Sequence, residues 1–328
     1  MSILDKLNRR ARTENNTGFG ANATDYGGRF FNRDGKANIE PLNIGFFDRI
    51  SWFHTMLDLR WWQFLGLILF FFVFINLMFA TIYFVIGIEH LGGLISESKC
   101  EQYIEAFFFS TQTFTTVGYG RINPTGFLAN VVSSLEALTG LTTFALVTGL
   151  LYGRFSKPKA YIRFSENAVI APYKEGIALM LRLVPFKNTN LTDAEAKLTL
   201  GLSVEENGKM VNRFYPLELE FSKVNALTLS WTIVHPITEE SPLYKFKSDD
   251  YANVRGEVLV YLKAFDDMFS NTVAARSSYI FKEIKVGAKF LPMYHRNENG
   301  TKTVLDFDKL NLFEAMDVSV VFKTIGMN

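Results

Sequence analysis

The sequence predicts a membrane α-helical domain followed by an all-β domain of sandwich type. Three observations lead to this fold class. Two apolar runs, Trp61–Ile88 and Phe127–Gly153, exceed the roughly 20 residues that a membrane-spanning helix needs. A short glycine-containing segment lies between them. Beyond Pro158, apolar and polar residues alternate in short runs that are typical of β-strands.

The segment before the first apolar run is predicted to be an amphipathic helix in the membrane interface. In FFDRISWFHTMLDLRWW, from Phe46 to Trp62, apolar residues recur at helical spacing with charged residues between them. An ordinary packed helix is the alternative. Residues 1–45 are rich in Asn, Gly, Arg and Thr and are expected to be flexible. The predicted domains are therefore 1–45, a membrane domain over 46–156 and a β domain over 157–328.

The two apolar runs differ in composition. The first contains no charged residue and is predicted to be a spanning helix. The second contains Thr, Ser, Gly and one carboxylate, Glu136, so it should face other helices or water. Because an ionisable group in lipid is costly, Glu136 is expected at a functional position, facing water or a polar partner behind the loop, or attracting a cation.

The distribution of charge predicts the orientation. Arginine and lysine cluster before the first span and after the second, whereas the segment between the spans is mainly acidic. The protein is therefore expected in the cell (inner) membrane. By the positive-inside rule, both of its termini are predicted to lie in the cytoplasm. A net charge of +1 argues against a nucleic-acid partner. Cys100 is the only cysteine, which excludes an intrachain disulfide.

The segment between the spans carries the chemistry. Tyr103–Thr113 is predicted to be a short helix that enters the membrane and stops, which is allowed only where protein buries it. Thr116-Val117-Gly118-Tyr119-Gly120 follows it. If alternate residues adopt left-handed dihedrals, successive carbonyls point to one side, and Gly118 and Gly120 allow this without a Cβ penalty.

Such a row of carbonyls can replace the water shell of a cation. TVGYG resembles the selectivity filter of potassium channels, in which four loops form one pore, so the resemblance implies a homotetramer that binds K⁺ at Thr116, Val117, Gly118 and Tyr119. The alternative is a glycine-containing loop with no ion. Asn-Gly at 207–208 and 299–300 predicts β-hairpin turns in the domain that follows.

Several further motifs resemble the inward-rectifier potassium channel family, its prokaryotic branch in particular. They are DLRWW at 58–62, GRFSKPKA at 153–160, FSENAVIA at 164–171, HPITEESPLY at 235–244 and ARSSYIF at 275–281. The resemblance implies a slide helix, an outer helix, a pore helix with its filter, an inner helix and a cytoplasmic immunoglobulin-like β-sandwich. It covers nearly the whole chain from Phe46 onward.

The resemblance also implies roles for particular residues. Basic positions that hold anionic phospholipid in eukaryotic members match Arg60, Lys157 and Lys159, with Arg154 near them; ordinary positive-inside residues are the alternative. Tyr152 matches the residue at which inner helices close the pore. Counting back by helical fours gives the predicted pore-lining stripe of Thr148, Phe144 and Gly140. Gly149, like Gly140, could act as a hinge or serve close packing.

Three features bear on how such a channel would work. Phe144 occupies the position of the acidic residue that binds magnesium or polyamines in strong rectifiers, so rectification is expected to be weak. Gln112 replaces a glutamate behind the filter, so neutral hydrogen bonds from Gln112 and Thr113, together with Glu136, are predicted to support it. A loop below the membrane is either a second gate or a surface turn: Met268, Phe269, Ser270, Asn271 and Thr272.

The sequence thus predicts a potassium-selective channel modulated by anionic lipid. No catalytic motif stands out, so an enzyme is not expected, and no cofactor is predicted beyond K⁺ as permeant ion, with Mg²⁺ or Ba²⁺ as pore blockers. Two alternatives remain. One is a poorly selective cation channel, and the other is a membrane-anchored β-sandwich that binds a partner.

Overall fold

The computed structural model describes residues 13, 28–43, 45, 51–187, 190–206 and 208–316. Two compact units make up the chain. One is Pro41–Lys157, and the other combines Met1–Glu40 with Pro158–Asn328. They are called the membrane unit and the β unit below.

The described part of the membrane unit contains four α-helices and a short 3₁₀ helix, Ile88–His90. Helix α1 is Trp52–Asp58, α2 is Trp61–Ile86, α3 is Lys99–Phe114 and α4 is Phe127–Ser156. Helices α2 and α4 are long and apolar enough to cross a membrane, which confirms the two predicted spans. Two short strands, β1 (Leu91–Gly92) and β2 (Asn123–Pro124), pair between the spans.

The predicted interfacial helix is interrupted in the structure before Trp62. Residues 46–50 lie outside the described part of the chain, and α1 ends at Asp58. Leu59 and Arg60 then adopt ψ values of 150°, outside the helical region, before α2 begins at Trp61. The run of helical spacing therefore covers two helices separated by a break at residues 59–60.

Aromatic packing holds the re-entrant helix α3 against the first span. Phe79, Ala80 and Tyr83 of α2 form one buried cluster with Ala106 and Phe109 of α3. The Tyr83 and Phe109 rings meet nearly edge to face, with centroids 5.2 Å apart. This cluster buries one face of α3 against α2, the kind of protein contact that a re-entrant segment in a membrane requires.

The β unit is a sandwich of two five-stranded sheets, which confirms the predicted class. The first sheet has the order β11-β10-β6-β7, with β8 also paired to β6. Its strands are β6 (Leu191–Glu206), β7 (Lys209–Leu217), β8 (Lys223–Leu227), β10 (Gly256–Asp266) and β11 (Asn271–Ile280). The second sheet has the order β12-β4-β5-β3, with β9 also paired to β5. Its strands are β3 (Ile162–Phe164), β4 (Ala168–Tyr173), β5 (Gly176–Pro185), β9 (Trp231–Pro236) and β12 (Ile284–Val286).

Residues from both sheets form the core between them. Leu179, Leu181 and Ile233 of one sheet and Leu200 and Leu262 of the other are fully buried in a single cluster. Shorter elements complete the unit: helix α5 (Ser248–Asn253), β13 (Ala288–Phe290) paired with β16 (Phe313–Ala315), and β14 (Tyr294–Arg296) paired with β15 (Thr303–Leu305).

The glycine of each Asn-Gly pair lies in a hairpin connection, as predicted. Strands β6 and β7 pair from Glu206 and Lys209, and Gly208 between them has a φ of +72°. Strands β14 and β15 pair from Arg296 and Thr303, so the second turn is longer than a two-residue hairpin. Gly300 has a φ of +66° within it.

Part of the segment expected to be flexible belongs to the β unit. The Phe30 side chain is buried against Phe214 and Leu259, and the Phe30 N–H donates to Glu257 Oε2 over 2.6 Å. Arg29 forms an ion pair of 2.8 Å with Glu283, and Arg33 pairs with the same carboxylate over 2.7 Å. Residues 29–38 are therefore called the N-terminal strap. The expectation of flexibility for residues 1–27 falls outside the described residues, apart from residue 13.

Candidate functional site

The loop after α3 has alternating backbone conformations. Thr116, Gly118 and Gly120 have φ values of +61°, +54° and +84°. Val117 and Tyr119 do not have positive φ, and their side chains are exposed. This alternation turns successive carbonyls toward one side of the loop. Left-handed Thr116 was not anticipated from the sequence, because a β-branched residue seldom adopts that conformation.

Main-chain carbonyls of α3 anchor this loop. The Gln112 carbonyl accepts hydrogen bonds from Val117 N at 2.9 Å and Gly118 N at 3.2 Å. The Thr113 carbonyl accepts from Thr116 N at 3.0 Å. Gln112 and Thr113 were predicted to support the loop by neutral hydrogen bonds. Within the described structure they do so through their backbone carbonyls and not through their side chains. The end of a helix leaves such carbonyls free to accept.

An ion pair joins Arg121, which directly follows Gly120, to helix α3. Arg121 Nη2 lies 2.9 Å from Glu105 Oε1 of α3. The other oxygen of Glu105 accepts from Ile95 N at 3.1 Å and Ser96 N at 3.3 Å. Sequence reasoning identified no role for this pair, although the two opposite charges on either side of the loop were a signal for it.

Glu136 is fully buried among polar partners contributed by two other helices. Its carboxyl group is hydrogen-bonded to Ser110 Oγ of α3, and Tyr83 OH of α2 donates to its Oε2 over 2.7 Å. Ser110 Oγ also lies 2.9 Å from Asn76 Oδ1 of α2. Glu136 therefore meets the expectation of a polar partner. The sequence did not identify Tyr83, Ser110 and Asn76, since each is a common residue within an apolar helix.

The predicted pore-lining stripe of α4 is only partly exposed in the chain. Phe144, Thr148 and Tyr152 are exposed, with Tyr152 at 74%. Gly140 is a correction, because it is buried and a Cβ there would lie 2.0 Å from the Phe114 carbonyl oxygen. Its lack of a side chain lets α4 approach the end of α3. A Cβ at Gly149 would meet nothing within 4 Å, so close packing inside the protomer does not account for this glycine.

An apolar groove of 850 Å³ runs beside these helices. Its lining includes Phe64 and Phe71 of α2, Thr116 of the loop and Phe144 and Leu150 of α4. An open apolar groove beside the loop is a surface that another apolar element can cover.

Two of the four predicted lipid-binding residues are bound within the membrane unit. Arg154 donates to the carbonyls of Met56 at 2.6 Å and Leu59 at 2.7 Å, and its guanidinium lies 5.0 Å from the centre of the Trp61 ring. Arg154 therefore joins the end of α4 to the end of α1, and its contact with lipid stays a prediction. Lys157 Nζ lies 2.6 Å from Asp58 Oδ1.

The other two predicted lipid-binding residues, Arg60 and Lys159, are exposed. Each therefore remains open to a negatively charged group at the membrane surface.

Of the predicted loop, residues 268–270 lie in the turn that connects β10 to β11, whereas Asn271 and Thr272 are the first residues of β11. Asp266 pairs with Asn271, Met268 is 70% exposed and Ser270 has a φ of +46°. Asp267 accepts from Asn190 Nδ2 at 2.5 Å. The geometry is that of a tight exposed turn, and its role as a gate stays a prediction. Within the described ranges, no group of three or more His, Cys, Asp or Glu could hold a metal ion.

These features define a class of protein. Two helices long and apolar enough to span a membrane, a re-entrant helix between them and a loop of alternating backbone conformation are the elements of a pore-loop ion channel. Two family models match the chain, "Ion channel" over residues 59–157 and "Inward rectifier potassium channel C-terminal domain" over residues 162–324. The chain belongs to the inward rectifier potassium channel family. Members of this family are membrane proteins and ion channels, not enzymes.

Three relatives show how far the similarity extends. The inward rectifier potassium channel Kirbac3.1 of Paramagnetospirillum magnetotacticum is 33% identical over 288 residues, covering 86% of this chain and 95% of the relative. Inward rectifier potassium channel irk-1 of Caenorhabditis elegans is 25% identical over 85% of this chain and 56% of its own length. The ATP-sensitive inward rectifier potassium channel 12 of Gallus gallus is 27% identical over 84% of this chain and 69% of its own length.

Proposed function

We propose that this protein conducts K⁺ passively and selectively through a pore lined by the carbonyls of residues 116–119. The observation that carries the proposal is the alternation of left-handed residues at Thr116, Gly118 and Gly120. Oxygens spaced in this way can replace the hydration shell of an ion. The names of the three relatives, all of them inward rectifier potassium channels, support K⁺ as the ion.

The functional assembly is a homotetramer. One chain supplies one row of carbonyls, and a K⁺ filter needs four such rows around an axis. Large apolar side chains on α4 support a partner in the membrane, because Phe144 is 72% exposed and the neighbouring groove is apolar. Phe144, Thr148 and Tyr152 then face the axis, and four Tyr152 rings close the pore at the cytoplasmic end of α4.

Both termini lie in the cytoplasm, following the distribution of basic residues around the two spans. Anionic lipid acts on Arg60, Lys157 and Lys159, while Arg154 holds α1 in place. Rectification is weak because Phe144 offers no charge to Mg²⁺ in the cavity, and Ba²⁺ blocks the filter. The turn at residues 268–272 forms a second constriction.

Tracer uptake into liposomes tests this function. Purified protein in vesicles loaded with K⁺ should accumulate rubidium, with uptake stopped by Ba²⁺ and unaffected by excess Na⁺. If excess Na⁺ abolished rubidium uptake as fully as Ba²⁺ does, the result would favour a poorly selective cation channel. Absence of uptake in every lipid mixture would favour the membrane-anchored binding module and contradict the proposal.

Lipid control has a separate test in the same vesicles. Replacing Lys157 and Lys159 by Ala should flatten the dependence of uptake on the fraction of anionic lipid, because each cation near the surface gains about 1 kcal/mol from it. The matched control, Lys263→Ala, removes an exposed lysine of β10. An unchanged lipid dependence in the double variant would contradict this mechanism.

A further inference from the structure

Four polar side chains are buried together where helices α2, α3 and α4 meet. Asn76 and Tyr83 lie on α2, Ser110 on α3 and Glu136 on α4, and none is more than 1% exposed. Apolar residues of α2 and α3 surround Tyr83, including Phe79, Ala80 and Phe109. Such a network is stable only if every donor and acceptor is matched, so its hydrogen atoms can be counted.

The orientation of Asn76 is fixed by its own helix. Asn76 Nδ2 donates to the Phe72 carbonyl over 2.6 Å. Turning the amide over would set its oxygen against that carbonyl oxygen, and two acceptors would then face each other. Asn76 Oδ1 must therefore face Ser110 Oγ, 2.9 Å away, and it can only accept.

The bond between Ser110 and Glu136 then needs a proton from the carboxyl group. A serine hydroxyl has one hydrogen, and Asn76 Oδ1 requires it. Ser110 Oγ is also in hydrogen-bond contact with Glu136 Oε1. With the one serine hydrogen used toward Asn76, the hydrogen in that contact must come from Glu136. The other carboxyl oxygen accepts from Tyr83 OH. The contacts of Ser110 Oγ with Asn76 Oδ1 and with Glu136 Oε1 each need one hydrogen. Serine supplies the first, and only a protonated Glu136 carboxyl group supplies the second.

The electrostatic surroundings agree with this count. The groups that face Glu136 are Tyr83 from α2 and Ser110 from α3, and neither carries a positive charge. A carboxylate without a cation in a fully buried site is strongly disfavoured, whereas a neutral acid with two hydrogen bonds is not.

This network lies directly behind the filter. Ser110 precedes Gln112 by two residues on α3, and the Gln112 carbonyl receives the amides of Val117 and Gly118. One turn beyond Glu136, Gly140 packs on the carbonyl of Phe114 at the end of α3. Helix α4 therefore holds α3 at two points, one on either side of Gln112.

We propose that Glu136 is a neutral carboxylic acid that positions the pore helix through Ser110, and thereby sets the spacing of the filter carbonyls. This inference rests on the proposed function, because it assigns the selectivity of that filter to Glu136, Ser110, Tyr83 and Asn76. Glu136 is a positioning residue and contacts no ion.

Two measurements on the full-length protein in liposomes test the proposal. Infrared difference spectra between the wild type and Glu136→Gln should show a protonated-carboxyl band that the variant lacks. Glu136→Gln keeps a donor and an acceptor, so its K⁺ over Na⁺ permeability ratio should match that of the wild type. Glu136→Leu and Ser110→Ala should lower the ratio about tenfold, as expected when a buried hydrogen bond is lost.

The matched control is Ser134→Ala, since in the described structure this hydroxyl donates to the Asn130 carbonyl of its own helix, and its loss should leave the ratio unchanged. A carboxylate band in the wild type, or a Glu136→Gln variant as unselective as Glu136→Leu, would overturn the proposal. If Glu136→Leu does not assemble, Ser110→Ala decides, and an unchanged ratio in that variant would also overturn it. A wild type that does not prefer K⁺ would contradict the proposed function, while the carboxyl band would still report the state of Glu136.

Discussion

At the scale of single residues, the filter loop depends on left-handed backbone geometry. Gly118 has a φ of +54°, and a Cβ there would meet nothing within 4 Å in the protomer. Gly118→Ala therefore adds no clash but costs about 1–2 kcal/mol in that conformation, which favours rotation of the peptide and its carbonyl. We expect the variant to lose K⁺-selective rubidium uptake.

Gly208→Ala is the matched control, because Gly208 is also left-handed with open space around its Cβ, in a β-hairpin. It should carry a similar backbone cost and conduct normally. Normal selective uptake by Gly118→Ala would show that K⁺ selectivity does not depend on the alternation of φ.

A second residue-scale prediction concerns pH and the N-terminal strap. Burial would raise the pKa of Glu283, but hydrogen bonds from Arg29 and Arg33 outweigh it and hold the pKa below its ordinary value. A lowered folded-state pKa stabilises the fold above the unfolded-state pKa of about 4.3. That contribution is lost as the pH falls through the folded-state pKa.

Glu283→Gln should lower the free energy of unfolding by about 2 kcal/mol near neutral pH, and by progressively less below about pH 4. Denaturant unfolding of the full-length protein in detergent measures this difference. Glu175→Gln, at an exposed position, is the control. A loss that does not change with pH would show that the two ion pairs do not stabilise the strap.

At the scale of elements, the approach of α4 to α3 depends on a missing side chain. Gly140→Ala would set a Cβ 2.0 Å from the Phe114 carbonyl oxygen, so the helices must separate. We expect a lower melting temperature and weaker K⁺ selectivity. Gly149→Ala, with nothing within 4 Å, should melt at or above the wild-type temperature, since alanine favours a helix over glycine. Equal melting temperatures for all three proteins would contradict this role of Gly140.

Local signals predicted most of the elements. Apolar length indicated α2 and α4, alternation indicated the strands, and Asn-Gly indicated both hairpins. The break between α1 and α2 and the short helix α5 were not predicted. The docking of residues 29–38 was missed because it depends on Glu257 and Glu283, more than 220 residues further along the chain. No pattern within the segment itself indicates such partners.

The part of the site that consists of consecutive residues could be predicted from the sequence. Thr116–Gly120 could be read from five residues, because the backbone alone provides the oxygens. Glu136 was predicted to support the loop, but its partners could not be, since Glu136, Ser110 and Tyr83 lie on three helices and meet only after folding. The same applies to Arg154, whose basic character suggested lipid while its hydrogen bonds go to α1.

At the scale of the whole molecule, the central claim is that four such loops form a K⁺-selective pore. The most direct test is the reversal potential of purified protein in a planar bilayer with K⁺ on one side and Na⁺ on the other. We predict a potential that corresponds to a K⁺ permeability at least about tenfold above that of Na⁺, a difference of roughly 1.4 kcal/mol. A reversal potential near zero would contradict the account.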